Sequence, residues 1–384
     1  MTARAYAPDV ATTMGSSLDL QRLSAVVEAD VAAALADPRI AGAKRIVMGG
    51  SGDSWFAALS TAPALRRWTG LPVEARTAME LARYEAPMLG PDDLVVSISN
   101  SGSSSRAREA VLLAKDRGVP TLGVTGSRTG PLAQQADRIL HRPVHEAFDV
   151  DPSYGRCFLN MAEWYAVLYA LYRFGLAFGV ARGALTTEAA ARELAAIVAA
   201  IGRAPEIAAD IEPGVAELAA SLDGVETIWT IGAGPSRGTA QYCAAKFHEQ
   251  MPINGVATDL EEWAHLEYFL TLAWGARSVV FVIAPPGNGL DRAREMTTGI
   301  SAAGGRAVVV TSGPRDAFGD ATAVFDVGEV GSEWISPLTC HLPTQLLVLH
   351  MAARAGITAI PLKRRDGAFL IAGGLVRSSV AGLD

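Results

Sequence analysis

The chain carries one pattern twice, and this constrains its fold more than any other feature. Gly50-Ser51-Gly52-Asp53-Ser54 follows the apolar run Ile46-Val47-Met48, and Gly232-Ala233-Gly234-Pro235-Ser236 follows Ile228-Trp229-Thr230-Ile231. At the same spacing Glu80 falls on Glu262. Arg106-Ala107-Arg108-Glu109 then recurs as Arg292-Ala293-Arg294-Glu295, with about one helical turn of extra chain between the two matches. A duplicated domain is the economical reading, because an internal repeat has to be built as the same unit twice. The 384 residues leave room for two cores of ordinary size.

Within each copy, short apolar runs alternate with helical patterns, which predicts a mainly parallel sheet with helices on both faces. In the first copy strands are expected at 46–49, near Val73, and over Leu94–Ser97, Thr121–Val124 and Ile139–Arg142. Helices are expected over Leu18–Leu35 and to about Trp68, Tyr84 and Asp116. In the second copy strands are expected over Thr227–Ile231, Val279–Ile283, Ala307–Thr311 and Ala323–Val327. Between the copies, Cys157–Phe178 and Thr187–Leu222 are Ala-rich and helical in period, with breaks at Gly183, Pro205 and Pro213. The expected organisation is a helical segment (1–40), a first α/β domain (41–180), a helical connector (181–222), a second α/β domain (223–360) and a tail (361–384). Each α/β domain reads as a flavodoxin-like three-layer α/β/α unit.

Composition narrows the function. Apolar residues make up 50% and charged residues 19%, too apolar for a disordered chain. The net charge of −7 argues against a nucleic-acid surface. Three cysteines without a CxxC pair or a metal-ligand spacing suggest a reducing compartment and no disulfide framework. Met1–Ser17 has no basic segment leading into an apolar core, so no signal peptide is expected and the cytoplasm is the expected location. The most membrane-like stretch, Trp164–Leu171, falls below the ~20 residues needed to span a bilayer and reads as a buried helix. His141 and His145 flank a strand edge without a third metal ligand, and His341 and His350 read as core or interface residues.

The loops carry the chemistry. A dinucleotide fingerprint needs a third glycine where the copies have Trp55 and Arg237, so neither qualifies. Ser99-Asn100-Ser101-Gly102-Ser103-Ser104 instead packs four hydroxyls and a glycine between a strand end and a helix start. Free backbone N–H groups and the helix dipole favour an anion there, and a phosphate monoester is the natural guest. One serine alone would more simply cap the helix. The corresponding stretch of the second copy, Pro285-Pro286-Gly287-Asn288-Gly289, has lost the hydroxyls. Lys246 and Glu249 are three apart on one helix face, and His265 follows sixteen residues later. Near a phosphate pocket these groups would serve proton transfer beside a carbonyl. As bare patterns they equally describe a surface salt bridge and a solvated helix face.

Taken together, GxGxS, the Ser-x-Ser-Gly loop, and Lys-x-x-Glu followed by histidine resemble the SIS (sugar isomerase) proteins. The likeness is to the tandem-SIS phosphosugar isomerases and deaminases related to the isomerase half of glucosamine-6-phosphate synthase, from about residue 40 onward. The resemblance implies that Ser51, Gly52, Asp53 and Ser54 line the sugar site, and that Ser99, Asn100, Ser101 and Ser104 hold the phosphate. It makes Glu249 the base between C1 and C2, Lys246 its nearby cation and His265 the ring-opening residue. Arg377 stands where the synthase has a catalytic lysine, and an arginine cannot form a Schiff base. Asp53 replaces the usual threonine, and His265 stands in Ala-His-Leu rather than a Lys-His-Gly-Pro run. The resemblance further implies a homodimer, a sugar-phosphate ligand, no nucleic-acid or membrane partner, and no metal or redox cofactor. A start of Met1-Thr2-Ala3 without an N-terminal cysteine sets aside glutamine-dependent amidotransfer. An aldose–ketose isomerase is the leading expectation, with a deaminase or deglycase, or a non-catalytic sugar-phosphate sensor, as alternatives.

Overall fold

Continuous apolar runs rather than strict alternation mark strands covered on both faces, the signature of a parallel sheet between helices. The computed structural model describes residues 20–143, 156–251, 253–329 and 331–356, with side chains described from residue 161 in the helix that opens at Arg156. His145, Arg377 and the tail therefore lie outside the described residues. The chain divides into two compact units, one built on residues 20–143 and 159–195, the other on 196–356.

In the first unit, β1 (Arg45–Gly50), β2 (Val73–Thr77), β3 (Asp93–Ile98), β4 (Thr121–Thr125) and β5 (Arg138–His141) form a parallel sheet in the order β2-β1-β3-β4-β5. In the second, β6 (Thr227–Gly232), β7 (Asn254–Asp259), β8 (Val279–Ile283), β9 (Arg306–Thr311) and β10 (Ala323–Asp326) are ordered β7-β6-β8-β9-β10, also all parallel. The two orders are the same, strand for strand. The extra turn of the second copy falls between β7 and β8, in the segment that carries His265. In each sheet the order reverses beside the first strand, between β1 and β3 and between β6 and β8. In an open parallel sheet, ligands bind outside the carboxyl ends at that point.

The helices follow the apolar periods with three differences. In the first unit α1 (Leu20–Leu35), α2 (Asp53–Thr69) and α3 (Ser105–Lys115) match expectation, but the stretch before Tyr84 is not one helix. It breaks into a turn at Ala78–Glu80, a π turn over Leu81–Glu85 and a 3-10 turn over Ala86–Met88, where Pro87 cannot donate a backbone hydrogen bond. The apolar stretch read as too short to span a membrane belongs to α4 (Arg156–Ala181), which has 21 residues, Met161–Ala181, long and apolar enough to do so. Those residues serve as core instead. Trp164, Tyr165, Tyr169, Phe174 and Phe178 are at most 1% exposed, and the Tyr172 ring lies 5.6 Å from that of Trp68.

The third difference is α5 (Thr187–Ser221), which runs unbroken through Pro205 and Pro213. A proline inside a helix costs ~3 kcal/mol. Ile197, Ile201, Ile207, Ile211, Val215 and Leu218 are all buried on one face of α5, and each contributes about 1.5–3 kcal/mol, so packing outweighs the two prolines. The second unit is completed by α6 (Pro235–Gln250), α7 (Tyr268–Trp274), α8 (Leu290–Ala302) and α9 (Leu342–Arg354). Strand β7, which the pattern did not announce, is a polar edge strand. Its Gly255 is required because a Cβ there would sit 2.1 Å from the Ala244 carbonyl oxygen of α6.

Candidate active site

The two glycine loops are built alike. Gly52 (φ 56°, ψ −131°) and Gly234 (φ 55°, ψ −127°) precede α2 and α6 in a conformation open in practice only to glycine. A Cβ on Gly50 would lie 2.5 Å from the Ser54 Cβ, and one on Gly232 would lie 2.8 Å from the Ser236 Cβ. The GxGxS pattern therefore encodes a tight strand-to-helix turn in both units, with its serine packed back against the strand end. Ser51 and Gly52 are exposed, while Asp53 and Ser54 are half-buried.

The serine loop leaves β3, the neighbour of β1, so both loops open at the same sheet edge and at its switch point. The loop is tied down through its backbone: Ser99 N–H donates to the Val124 carbonyl (3.0 Å), Gly126 N–H to Asn100 (2.9 Å) and Gly102 N–H to Ser99 (3.1 Å). Gly102 has φ 69°, and a side chain there would press on Thr125 Oγ1 at 3.0 Å. The Asn100 amide oxygen lies over Gly126, where a Cβ would come within 3.0 Å of it. Ser101 and Ser103 share a hydrogen bond of 2.7 Å. Ser104 occupies the N-cap of α3, yet its side chain makes no capping bond. Among the described residues, the hydroxyls of Ser99 and Ser104 and the N–H groups of Asn100 and Ser101 have no partner. Uncommitted donors at a helix N-terminus are what an anion needs.

The second unit closes its equivalent site with its own carboxylate. Glu333 Oε2 accepts from Asn288 N–H (2.8 Å) and Oε1 from Asn288 Nδ2 (2.7 Å). A Cβ on Gly287 would fall 1.8 Å from Glu333 Oε2, so only glycine admits the plug. Beside it remains a cavity of about 20 Å³ lined by Ala233, Ser236, Leu260 and Gly289, room for roughly one water. No sequence motif announces Glu333, which approaches from a distant 3-10 turn (Glu333–Leu338).

Within the second unit, α6 brings Lys246 and Glu249 together at 2.8 Å. The bland reading of a surface salt bridge does not hold. The Lys246 side chain is 0% exposed and its ammonium lies 4.4 Å from the centre of the Tyr242 ring, one helical turn back. Gln345 Nε2 donates to Tyr242 Oη at 2.7 Å and fixes that ring. A buried ammonium is tolerated only when paired, so Glu249, 28% exposed, is held as its carboxylate partner with one face open. Tyr242 and Gln345 were not singled out from the sequence, although the i, i+4 spacing of Tyr242 and Lys246 signals the contact.

His341, edge-on to Tyr242 at 5.6 Å, is core, as expected. Burial drives its pKa down to about 3, helped by the Lys246 charge and opposed by a bond to the Leu338 backbone. The folded protein keeps this ring neutral, whereas the unfolded chain protonates it near 6.5. Its contribution to stability is therefore full above pH 6.5 and is lost progressively as pH falls toward 3, by up to about 1.4 kcal/mol per pH unit. His341→Leu is expected to flatten the decline in urea midpoint between pH 6.5 and 4.5. Equal slopes in variant and wild type would refute this. Burial also pushes the Cys243 and Cys340 thiols up to about 12, so neither is a nucleophile.

His265, in contrast, is 65% exposed and lies 3.2 Å from Glu261 Oε1. Glu261 is also held by Arg292 at 2.6 and 3.0 Å, which keeps its carboxyl below the usual range. Within its own unit His265 thus has the solvated setting of the blander expectation. In the first unit Asp53, at the start of α2, lies within range of the buried guanidinium of Arg142 just beyond β5. Burial draws Arg142 down to about 10, against the pull of Glu163 and Asp53. Arg142 was missed from sequence because nothing about a lone arginine after a strand announces burial.

A doubly wound α/β unit with a hydroxyl-lined, anion-suited turn at its switch point is the class of protein these features define. Residues 39–171 match the SIS domain family, so that match falls on the first half of the chain. Glutamine–fructose-6-phosphate aminotransferase [isomerizing] from Caulobacter vibrioides is 24% identical over 90% of this chain and 54% of its own length. The chain spans about half the length of the curated relatives it matches. Among solved structures, the C-terminal domain of glucosamine-fructose-6-phosphate aminotransferase from Francisella tularensis superposes with TM-score 0.72 at 18% identity. That superposition covers 88% of this chain and 95% of the other. Tagatose-6-phosphate ketose/aldose isomerase from Escherichia coli gives TM-score 0.67 at 16% identity, covering 88% and 89%. The fold is that of the SIS proteins, and the chain has homologues among the isomerizing phosphosugar enzymes.

Proposed function

We propose that this protein is a phosphosugar aldose–ketose isomerase built from two SIS-type units, which moves a proton between C1 and C2 of an open-chain, amino or neutral, sugar phosphate. The observation that carries the reading is Ser104, a helix N-cap whose hydroxyl is left unspent beside the free Ser99 hydroxyl. That loop anchors the phosphate together with Ser101 and Asn100, and Ser51, Gly52, Asp53 and Ser54 face the sugar. Glu249 is the proton carrier, its carboxylate positioned by the Lys246 ammonium 2.8 Å away. His265 opens the ring, a role that suits an exposed imidazole able to serve a neighbouring copy. Arg377 lends a positive charge to the site without covalent chemistry. A homodimer fits the apolar side chains exposed at corresponding places of both units, Met79, Tyr84 and Met88 after β2, and Leu266, Phe269 and Leu272 after β7. The cytoplasm is the proposed location.

A second reading, amine release by a deaminase or deglycase, is favoured by Asp53, whose carboxylate suits an amino substituent better than a threonine would. The test is a thermal-shift panel of hexose 6-phosphates, hexosamine 6-phosphates and their unphosphorylated forms, followed by product analysis of each hit. A ligand at 100 times its Kd stabilises the folded state by about 2.7 kcal/mol. Phosphorylated sugars are expected to shift the transition and the free sugars are not. A panel in which no phosphorylated sugar acts would overturn the proposal, and ammonia release from a hexosamine 6-phosphate would select the second reading.

A further inference from the structure

A cavity of about 680 Å³, within the range of small-molecule sites, lies in the second unit at the opposite, N-terminal edge of its sheet. Size alone does not locate the isomerase chemistry, since no candidate base or phosphate loop lies there. What does line it is chemically coherent. Trp274 closes α7 with 36% of its surface exposed, its ring held 5.5 Å from that of Trp229. Arg277, in the turn Gly275–Arg277, is exposed and has no ion-pair partner among the described residues. Arg306, the first residue of β9, donates from Nη1 to the Ser221 carbonyl at the end of α5 (2.9 Å), while its buried Nε has no partner among the described residues. Burial lowers the Arg306 pKa, with no carboxylate acting to restore it. Of the two acids at the rim, Asp223 is already neutralised by Arg354 at 2.6 Å, leaving Glu226 against two guanidiniums.

We infer that this cavity binds a flat ring bearing a phosphate, such as a nucleoside monophosphate. The ring would lie on Trp274, the phosphate between Arg277 and Arg306, and a ring or ribose donor would face Glu226. Arginine forks match phosphate oxygens in pairs, and an exposed indole face accepts a planar ring. The site is separate from the serine loop and does not depend on the isomerase reading.

The test is calorimetric titration of the full chain carrying Ser104→Asp, which blocks the serine loop, with AMP and with inorganic phosphate as probes. One AMP per chain is expected, and Arg277→Gln should weaken it about tenfold or more, as loss of a charged hydrogen bond does. Arg277 is exposed, so this substitution leaves the fold intact and is the decisive variant; Arg306→Gln should act in the same direction. Trp274→Leu should reduce AMP to the affinity of inorganic phosphate. Unchanged AMP binding in Arg277→Gln, absence of AMP binding at millimolar concentration, or binding that vanishes with Ser104→Asp would each overturn the inference.

Discussion

Replacing Glu249 by glutamine is expected to lower solvent-deuterium incorporation at C1 or C2 of the bound sugar phosphate on the order of a thousandfold, within the range that a positioned base supplies. The glutamine keeps the shape and a carbonyl oxygen within reach of the Lys246 ammonium, but it cannot accept the carbon-bound proton. Because Lys246 is fully buried, removing its counter-charge also costs stability, about 3–5 kcal/mol for a broken buried pair. Two controls separate these effects. Far-UV circular dichroism and an unaltered phosphate-ligand thermal shift establish that the variant is folded and competent to bind. Glu249→Asp retains the charge but withdraws it by one methylene, so it should recover stability before it recovers exchange. Exchange at the wild-type rate in Glu249→Gln would remove Glu249 from the reaction.

Ser104→Asp is expected to eliminate sugar-phosphate binding while leaving the protein as stable as before or slightly more so. Aspartate is among the best N-cap residues, and its charge suits the positive end of α3, so the helix itself gains. A carboxylate in the cradle repels a phosphate and satisfies the N–H groups meant for it, as Glu333 does beside Asn288 in the second unit. The milder Ser104→Ala should weaken binding about tenfold, the worth of one hydrogen bond to a charged group. Full binding by Ser104→Asp would show that the phosphate is held elsewhere.

Much of this was legible from local pattern. The runs Ile46-Val47-Met48 and Ile228-Trp229-Thr230-Ile231 became the first strands of two sheets, and the glycines after them became turns of matching dihedral angles. The Lys246–Glu249 pair followed from helical spacing. Other features depended on partners remote in the chain. Asn254–Asp259 holds only Val256 and Ala257 as apolar side chains, too short a run to announce a strand, and is one because Thr227–Gly232 pairs with it. Pro205 and Pro213 look like helix breaks until the buried face of α5 is weighed against them. The depth of Lys246 depends on Tyr242 and Gln345, the latter from α9, and the second unit's closed site depends on Glu333.

By itself, then, the sequence determined the repeated strand–loop–helix order, the hydroxyl loop kept in one copy and lost in the other, and the spacing of the acid–base pair, because each follows from neighbours along the chain. Tertiary structure alone decided which charges are buried, which serine hydroxyls remain unspent and which anion site the protein fills with its own carboxylate. Burial and hydrogen-bond satisfaction depend on what packs against a group from elsewhere in the chain, and these set the electrostatics of a site.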